Sequence, residues 1–270
     1  MSELLSMIST GSKPVIGMIQ LDPLPGGSRY AGRGADAILK RALEEAETLA
    51  SNGVDVLMVQ NLGDLPVSQT VAAPQIAWMT RVVAEVRTRF GRPVGVNFLE
   101  NDAEAMLAVA SAGGADFVRI KVYVGAMLTP FGVESGQAHQ AIRARNAWDT
   151  QNVAIFADVH DRTGVPLATG GFPEDLDHAI RLGGADGVVL TGKSYGGTLE
   201  FIKLTRKLYA RLPILVGGGV NAGNFAEMAG VADGVIVSSA LKDSGVAFGR
   251  FVPEKVSAFM EEARRVRATR

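Results

Sequence analysis

Charged and polar residues recur two apart at the ends of apolar runs in this chain. That spacing sets side chains on one face of a strand. Arg119, Lys121 and Tyr123 share one such face, Asp158 and His160 another, and Thr191 and Lys193 a third. Gln20, Gln60 and Asn97 close three earlier apolar runs, and Ser238 and Ser239 close the last. Burying any of these alone is costly, an unpaired charge most of all, so the simplest arrangement is a common mouth toward which they converge. Two cations side by side, Arg119 and Lys121, call for an anion. Asp158 supplies it as an ion-pair partner, or else acts as general acid or base against a substrate hydroxyl. Lys193 serves either as a Schiff-base amine or as a cation clamping an anionic substrate, the clamp being preferred. Lys193, Asp158 and Lys121 are thus the candidate catalytic groups, with Gln20, Gln60, Asn97, Arg119, His160 and Thr191 as substrate contacts. Asp158 and His160 amount to half a metal site without a third and fourth ligand, so neither a metal nor another cofactor is expected. His139 and His178 are expected on helix surfaces.

Two turns near the C-terminus suit an anion. One is Leu215-Val216-Gly217-Gly218-Gly219-Val220-Asn221, and the other is Ile236-Val237-Ser238-Ser239. Small residues before a helix let an anion approach backbone N–H groups. Gly218, Gly219, Asn221, Ser238 and Ser239 are therefore candidate phosphate contacts, with Ser194–Gly197 as a third small-residue loop. The competing explanation is tight helix packing, since glycine also ends strands for structural reasons.

The elements that must carry these residues follow from a repeat. A glycine, a short turn with aspartate and a β-branched run occur at 52–59, 113–120, 183–190 and 230–237. Glycine there would close a helix in the left-handed conformation. Four more apolar runs lack the aspartate, at Val15–Ile19, Val94–Phe98, Val153–Val159 and Ile214–Val216. The eight starts lie about thirty residues apart, the length of one βα unit. Helical stripes fill the gaps, such as Ile38, Ala42, Ala46, Leu49 and Ala50, or Met79, Val82, Val83 and Val86 after Pro74. Asn101-Asp102 opens another helix, with Glu104 in its first turn. Apolar strands alternating with helices predict a single-domain (β/α)8 TIM barrel, preceded by an N-terminal extension at 1–13. The phosphate turns then follow the seventh and eighth strands. Two long connections, Tyr123–Val133 and Asp161–Phe172, fall on the same face and are candidates for a lid or a partner surface.

Composition narrows the partners. The chain has 270 residues, 47% of them hydrophobic, and a net charge of −1. That balance gives no general case for nucleic acid or an anionic membrane. The basic Arg264-Arg265-Val266-Arg267 is expected as a solvated helix end. Without cysteine there are no disulfides and no thiolate chemistry. The first residues lack a secretory pattern, and a cytoplasmic location is expected. The expected partner is a small phosphorylated molecule, with homo-oligomers allowed.

Several segments together resemble the BtpA/SgcQ family over nearly the whole chain. They include Ile16-Gly17-Met18-Ile19-Gln20-Leu21-Asp22-Pro23-Leu24-Pro25-Gly26, Asn61-Leu62-Gly63-Asp64-Leu65-Pro66 and Gly95-Val96-Asn97-Phe98-Leu99-Glu100-Asn101-Asp102. Phe117–Ile120, Ala157–Val159, Leu215–Val220 and Asp233–Val237 continue the match. The Leu-Asp-Pro-Leu-Pro-Gly run is its most specific part. The resemblance implies the (β/α)8 fold and two functional expectations. One is a poorly defined enzyme beside carbohydrate genes, which the residues themselves sharpen to an enzyme acting on a sugar phosphate or nucleotide-like compound, by lyase, isomerase or glycosidic-bond chemistry. The other is a membrane-associated assembly factor for photosystem I, and only the resemblance implies that membrane link. It also implies histidine where this chain has Gln20, glutamate at Gln60, and Lys-His at Arg162-Thr163. Glutamine cannot exchange protons as those residues do.

Overall fold

Eight parallel strands close into a barrel in the computed structural model, which describes residues 1–32 and 34–269. In chain order the strands are β1 (Val15–Gln20), β2 (Val56–Gln60), β3 (Val94–Asn97), β4 (Phe117–Ile120), β5 (Ala126–Thr129), β6 (Gly132–Ser135), β7 (Ala154–Asp158), β8 (Val165–Leu167), β9 (Gly187–Leu190), β10 (Ile214–Val216) and β11 (Gly234–Val237). The barrel runs β1-β2-β3-β4-β7-β9-β10-β11 and returns to β1. The helices are α1 (Glu3–Ser9), α2 (Ala35–Ser51), α3 (Ala73–Phe90), α4 (Ala103–Gly113), α5 (Ala138–Ala147), α6 (Phe172–Asp177), α7 (Tyr195–Leu208), α8 (Phe225–Val231) and α9 (Pro253–Ala268). The observed barrel strands begin within two residues of the starts expected from the repeat.

Alternation along each strand divides the core in two. Val15, Ile19, Leu57 and Val59 face the helices in the larger apolar layer. Ile16, Met18, Val56, Met58, Phe117, Phe156, Val189, Leu215 and Ile236 fill the barrel interior. Glycines stand among the inward positions because their neighbours are large. A Cβ on Gly95 would enter the Phe117 ring, one on Gly187 would meet Phe156, and one on Gly234 would meet Leu215. Phe117 and Phe156 pack edge to face at 5.9 Å. The polar residues lie one step beyond this packed layer, toward the C-terminal ends of the strands.

The repeated aspartates hold the opposite end. Asp55, Asp186 and Asp233 each accept a backbone N–H at the start of the preceding barrel strand, from Val15, Ile155 and Ile214, at 2.8, 2.8 and 2.9 Å. Each also meets an arginine, Arg267, Arg145 and Arg206 respectively. Asp116 instead caps α1, accepting Ser2 Oγ, Glu3 N and Leu4 N at 2.7, 2.7 and 2.9 Å. The segment expected as an extension is thereby folded against the barrel floor, where Leu4 is fully buried. At the fourth repeat Gly230 lies inside α8 and does not close it, because the helix runs on to Val231. The basic tail is likewise only half solvated. Arg264 and Arg265 are exposed, but Val266 is buried and Arg267 reaches Asp55 and the Lys13 carbonyl.

The two long connections do not stay as loops. β5 and β6 form a hairpin with Pro130-Phe131 at its turn, and β8 adds antiparallel to β5. One small sheet therefore joins the segment after β4 to the segment after β7.

Candidate active site

Strand register places the polar side chains at one level. Gln20 pairs with Gln60 across β1 and β2, and Gln60 with Asn97 across β2 and β3. Gln60 Nε2 donates to Asn97 Oδ1 at 2.6 Å, and Asn97 Nδ2 to the Arg119 carbonyl at 2.9 Å. These residues, with Arg119, Lys121, Asp158, Thr191, Gly218, Gly219, Ser238 and Ser239, line a cavity of about 440 Å³ at the mouth of the barrel. Its size suits a small organic ligand.

At its base Arg119 grips Asp158 with two parallel bonds, Nε to Oδ2 at 2.8 Å and Nη2 to Oδ1 at 2.9 Å. Asp161 stands 4.0 Å from the same guanidinium. Burial pushes the Asp158 carboxyl up to about 6 even though Arg119 pulls the other way. Beside this pair the Thr191 hydroxyl is buried and has no hydrogen-bond partner among the described residues. A Cβ on Gly217 would run into that hydroxyl and would lie 3.1 Å from Arg119 Nη2. Only glycine fits here, between that hydroxyl, the Val189 side chain at 2.6 Å and the Arg119 guanidinium. Lys121 leans to the side of the mouth, 3.5 Å from buried Glu134 of β6.

The glycine turn offers donors. Among the described residues the Gly218 and Gly219 N–H groups have no hydrogen-bond partner. Arg162, from the loop after β7, lies over this turn, and a Cβ on Gly218 would sit 3.3 Å from its Nη2. On the other side Ser238 Oγ donates to Gln20 Oε1 at 2.7 Å, and Lys242 Nζ donates to the same oxygen at 2.8 Å. The Ser238 proton is thus committed, and the Gln20 amide nitrogen lies 3.9 Å from Met18 Sδ. Lys242 is buried, ties the Ala247 carbonyl at 2.6 Å, and is drawn down to about 8 by burial.

Four expected contacts sit apart from one another or from this mouth. Lys193 is exposed and lines a lateral cavity of about 200 Å³ with Arg162, Ser194, Gly218 and Gly219. The strand alternation stops at Thr191: Gly192 packs directly on the Gly197 backbone and turns the chain into α7. His160 is also past its strand, at φ 56°, and pairs with Asp175 at 2.6 Å in a separate cavity. Tyr123 is buried away from the mouth and donates to the Gly183 carbonyl at 2.5 Å. Asn221 closes its own turn, accepting Gly223 N at 2.9 Å while its N–H donates to Asn224 Oδ1 at 2.8 Å. His139 is exposed and His178 half-buried.

A buried polar ring behind the mouth had no role in the sequence. Asn61 Nδ2 donates to Asp64 Oδ2 at 2.9 Å and to Glu100 Oε2 at 2.8 Å. Gln75 Nε2 donates to the same Asp64 oxygen at 2.7 Å and to Glu100 Oε1 at 2.9 Å. Leu24 N donates to Asp64 Oδ1 at 2.7 Å, which brings the Leu-Asp-Pro-Leu-Pro-Gly run into the ring. Burial raises both carboxyls above their ordinary values. The sequence signal was the run of polar residues in Asn61-Leu62-Gly63-Asp64 and Glu100-Asn101-Asp102, which the resemblance already contained.

Known proteins give the same picture of fold and kinship. The sequence model of the BtpA family matches residues 11–265. Photosystem I biogenesis protein BtpA of Synechocystis is 38% identical over 251 residues, covering 92% of this chain and 87% of its own. An uncharacterized protein of Archaeoglobus fulgidus is 36% identical over 236 residues, covering 87% and 93%. Among solved structures, N-(5'-phosphoribosyl)anthranilate isomerase of Pyrococcus furiosus superposes with a TM-score of 0.57 at 16% identity, covering 94% of this chain and 99% of its own. KGPDC of Streptococcus mutans gives 0.58 at 14% identity, with 94% and 98% covered. Such low identities establish the shared fold alone. No helix among the described residues is long and apolar enough to cross a membrane.

Proposed function

The chain belongs to the BtpA family, and from that premise we propose an enzyme that acts on a small phosphorylated metabolite at the barrel mouth. One observation carries this most directly. A buried carboxyl at about 6, Asp158, stands beside an unpartnered hydroxyl, Thr191, within the same cavity as two unpartnered backbone N–H groups, Gly218 and Gly219. A carboxyl so placed exchanges a proton readily near neutrality. Gly218, Gly219 and Arg162 hold the phosphate, and Ser239 closes that side. Thr191 and the amides of Gln20 and Gln60 orient the hydroxyl or carbonyl groups. Asp158 accepts the proton, while Arg119 fixes its carboxylate and neutralises charge that builds beside it. Proton abstraction by ionised Asp158 suits lyase and isomerase chemistry, and donation from its protonated form to a leaving group suits glycosidic-bond chemistry. Lys193, on the lateral side of the glycine turn, is a second cation facing the phosphate from behind. Thermal-shift titration with sugar phosphates tests the proposal. Stabilisation that Arg162→Ala weakens is expected, whereas no response to any phosphorylated compound at millimolar concentration would remove it.

One feature favours a second reading, a non-enzymatic assembly factor, in keeping with the name of the Synechocystis relative, a photosystem I biogenesis protein. Val133, Leu128 and Val165 lie side by side across β6, β5 and β8 and are each about half exposed. If this row docks a partner protein, Leu128→Ser with Val165→Ser abolishes the cellular phenotype while Asp158→Asn does not.

A further inference from the structure

The mouth has two unlike walls. One is the glycine turn with Arg162, Ser238 and Ser239. The other is apolar, built from Leu62, Leu65, Leu99, Pro130 and Phe131. These five come from three separate connections, those after β2 and β3 and the β5–β6 turn. None of them belongs to the hydrophobic core or packs against it. Leu62, Leu65, Leu99 and Phe131 are half-buried, and Pro130 is exposed. Apolar side chains gathered at a cavity and kept out of the core present a surface for an apolar ligand group.

Their support is rigid. Asn61 and Asp64 of the buried polar ring bracket Leu62, and Leu65 follows directly. Leu99 N donates to Asn61 Oδ1 at 2.9 Å, and Glu100 anchors the next residue. Gly63 lies so close to the Asp22-Pro23 backbone that a Cβ there would sit 2.5 Å from Pro23 N. The hairpin turn is held as well, because Phe131 N donates to Thr129 Oγ1 at 3.2 Å and Gln69 Nε2 to the Val133 carbonyl at 2.8 Å. A fully bonded polar network placed behind a wall fixes the wall's shape. The most specific motif of the chain thus braces the apolar wall, through Leu24 and the Asp22-Pro23 backbone.

We propose that this wall seats an unsaturated or aromatic ring, so that the substrate is a phosphorylated compound carrying a ring opposite its phosphate and not a plain sugar phosphate. The inference rests on the phosphate reading above. With phosphate at Gly218 and Gly219, the linking atoms pass over Asp158, Thr191 and Gln60, and the ring lies against Leu65 and Phe131. Ring burial there adds affinity that a ring-free phosphate cannot gain.

Calorimetric titration separates the two ideas. The probes are inorganic phosphate, glycerol 3-phosphate and ribose 5-phosphate on one side, and phenyl phosphate and adenosine 5'-monophosphate on the other. At least one ring-bearing probe is expected to bind roughly tenfold or more tightly than every ring-free one. Leu65→Asn and Phe131→Ser are expected to erase that advantage while leaving ring-free affinity and melting temperature unchanged. Arg162→Ala is expected to weaken all phosphorylated probes together. Equal affinity for both groups, or an advantage that survives both wall substitutions, overturns the ring while leaving the phosphate site standing. Failure of every probe to bind overturns both.

Discussion

Both ends of this barrel carry acidic residues at or beyond the strand ends, and the two sets are built differently. At the N-terminal end Asp55, Asp186 and Asp233 each hold a backbone N–H of the neighbouring strand and an arginine, and Asp116 holds three donors of one helix end. At the C-terminal end Asp158 is sunk so deep that even a bidentate arginine does not offset its burial, and Asp64 and Glu100 are held by neutral amides. Partners that match a charge lend stability, whereas burial that outruns its partners leaves a group ready to take up a proton. Barrel strands generally divide stability from chemistry in this way, and the enzyme proposed above would place its chemistry at the C-terminal end.

Exchanging the roles of the two ends would break this contrast. Asp158→Asn is expected to lower turnover roughly 10²–10⁴-fold, with a folded protein by circular dichroism. A variant with near-normal turnover would move the chemistry elsewhere. Asp116→Ala, which strips three donors from their acceptor, should cost about 2–4 kcal/mol in denaturant titration and leave ligand affinity at the mouth intact. The pH dependence sharpens the same point. A carboxyl with a higher pKa in the folded than in the unfolded chain binds its proton more tightly when folded. Its stabilising contribution is full below the ordinary value of 3.8 and is lost as pH rises through about 6 for Asp158. Asp64 and Glu100 add in the same direction. The denaturation midpoint should therefore fall across that window, less steeply in Asp158→Asn. Turnover should rise over the same range, as the base ionises.

The smallest effects separate two neighbours on α9. Arg267→Ala releases the half-buried Asp55 and should cost about 1–2 kcal/mol. Arg265→Ala loses only an exposed pair with Glu262 and should leave the midpoint unmoved.

Much of this was legible in the sequence because strand parity is rigid. Two-residue alternation placed Gln20, Gln60, Asn97, Arg119, Asp158 and Thr191 on the inner face, and the structure finds them at one mouth. The same rule carried past its domain put Lys193, His160 and Tyr123 there too. Alternation ends with the strand: Gly192 turns the chain into a helix, and His160 takes a left-handed backbone conformation. The small sheet was hidden because strands of three or four residues with polar positions look like loops. Lys242 gave no signal either. It follows a 3₁₀ turn, where neither strand nor helix period applies, and its contact with Gln20 spans almost the whole chain. The amides of Asn61 and Gln75 read as ordinary polar residues until Asp64 and Glu100 are seen between them.

The floor of the barrel carries a consequence for assembly. Leu4 of helix α1 joins the same interior cluster as Leu215 and Ile236, and the helix's cap waits on Asp116. It has no binding place until the last strand has joined the first. The helix is therefore fitted as a stopper pressed into a vessel already closed. Its docking would report ring closure in a folding experiment, and a label on Met1, which is 88% exposed, could follow it without touching the floor.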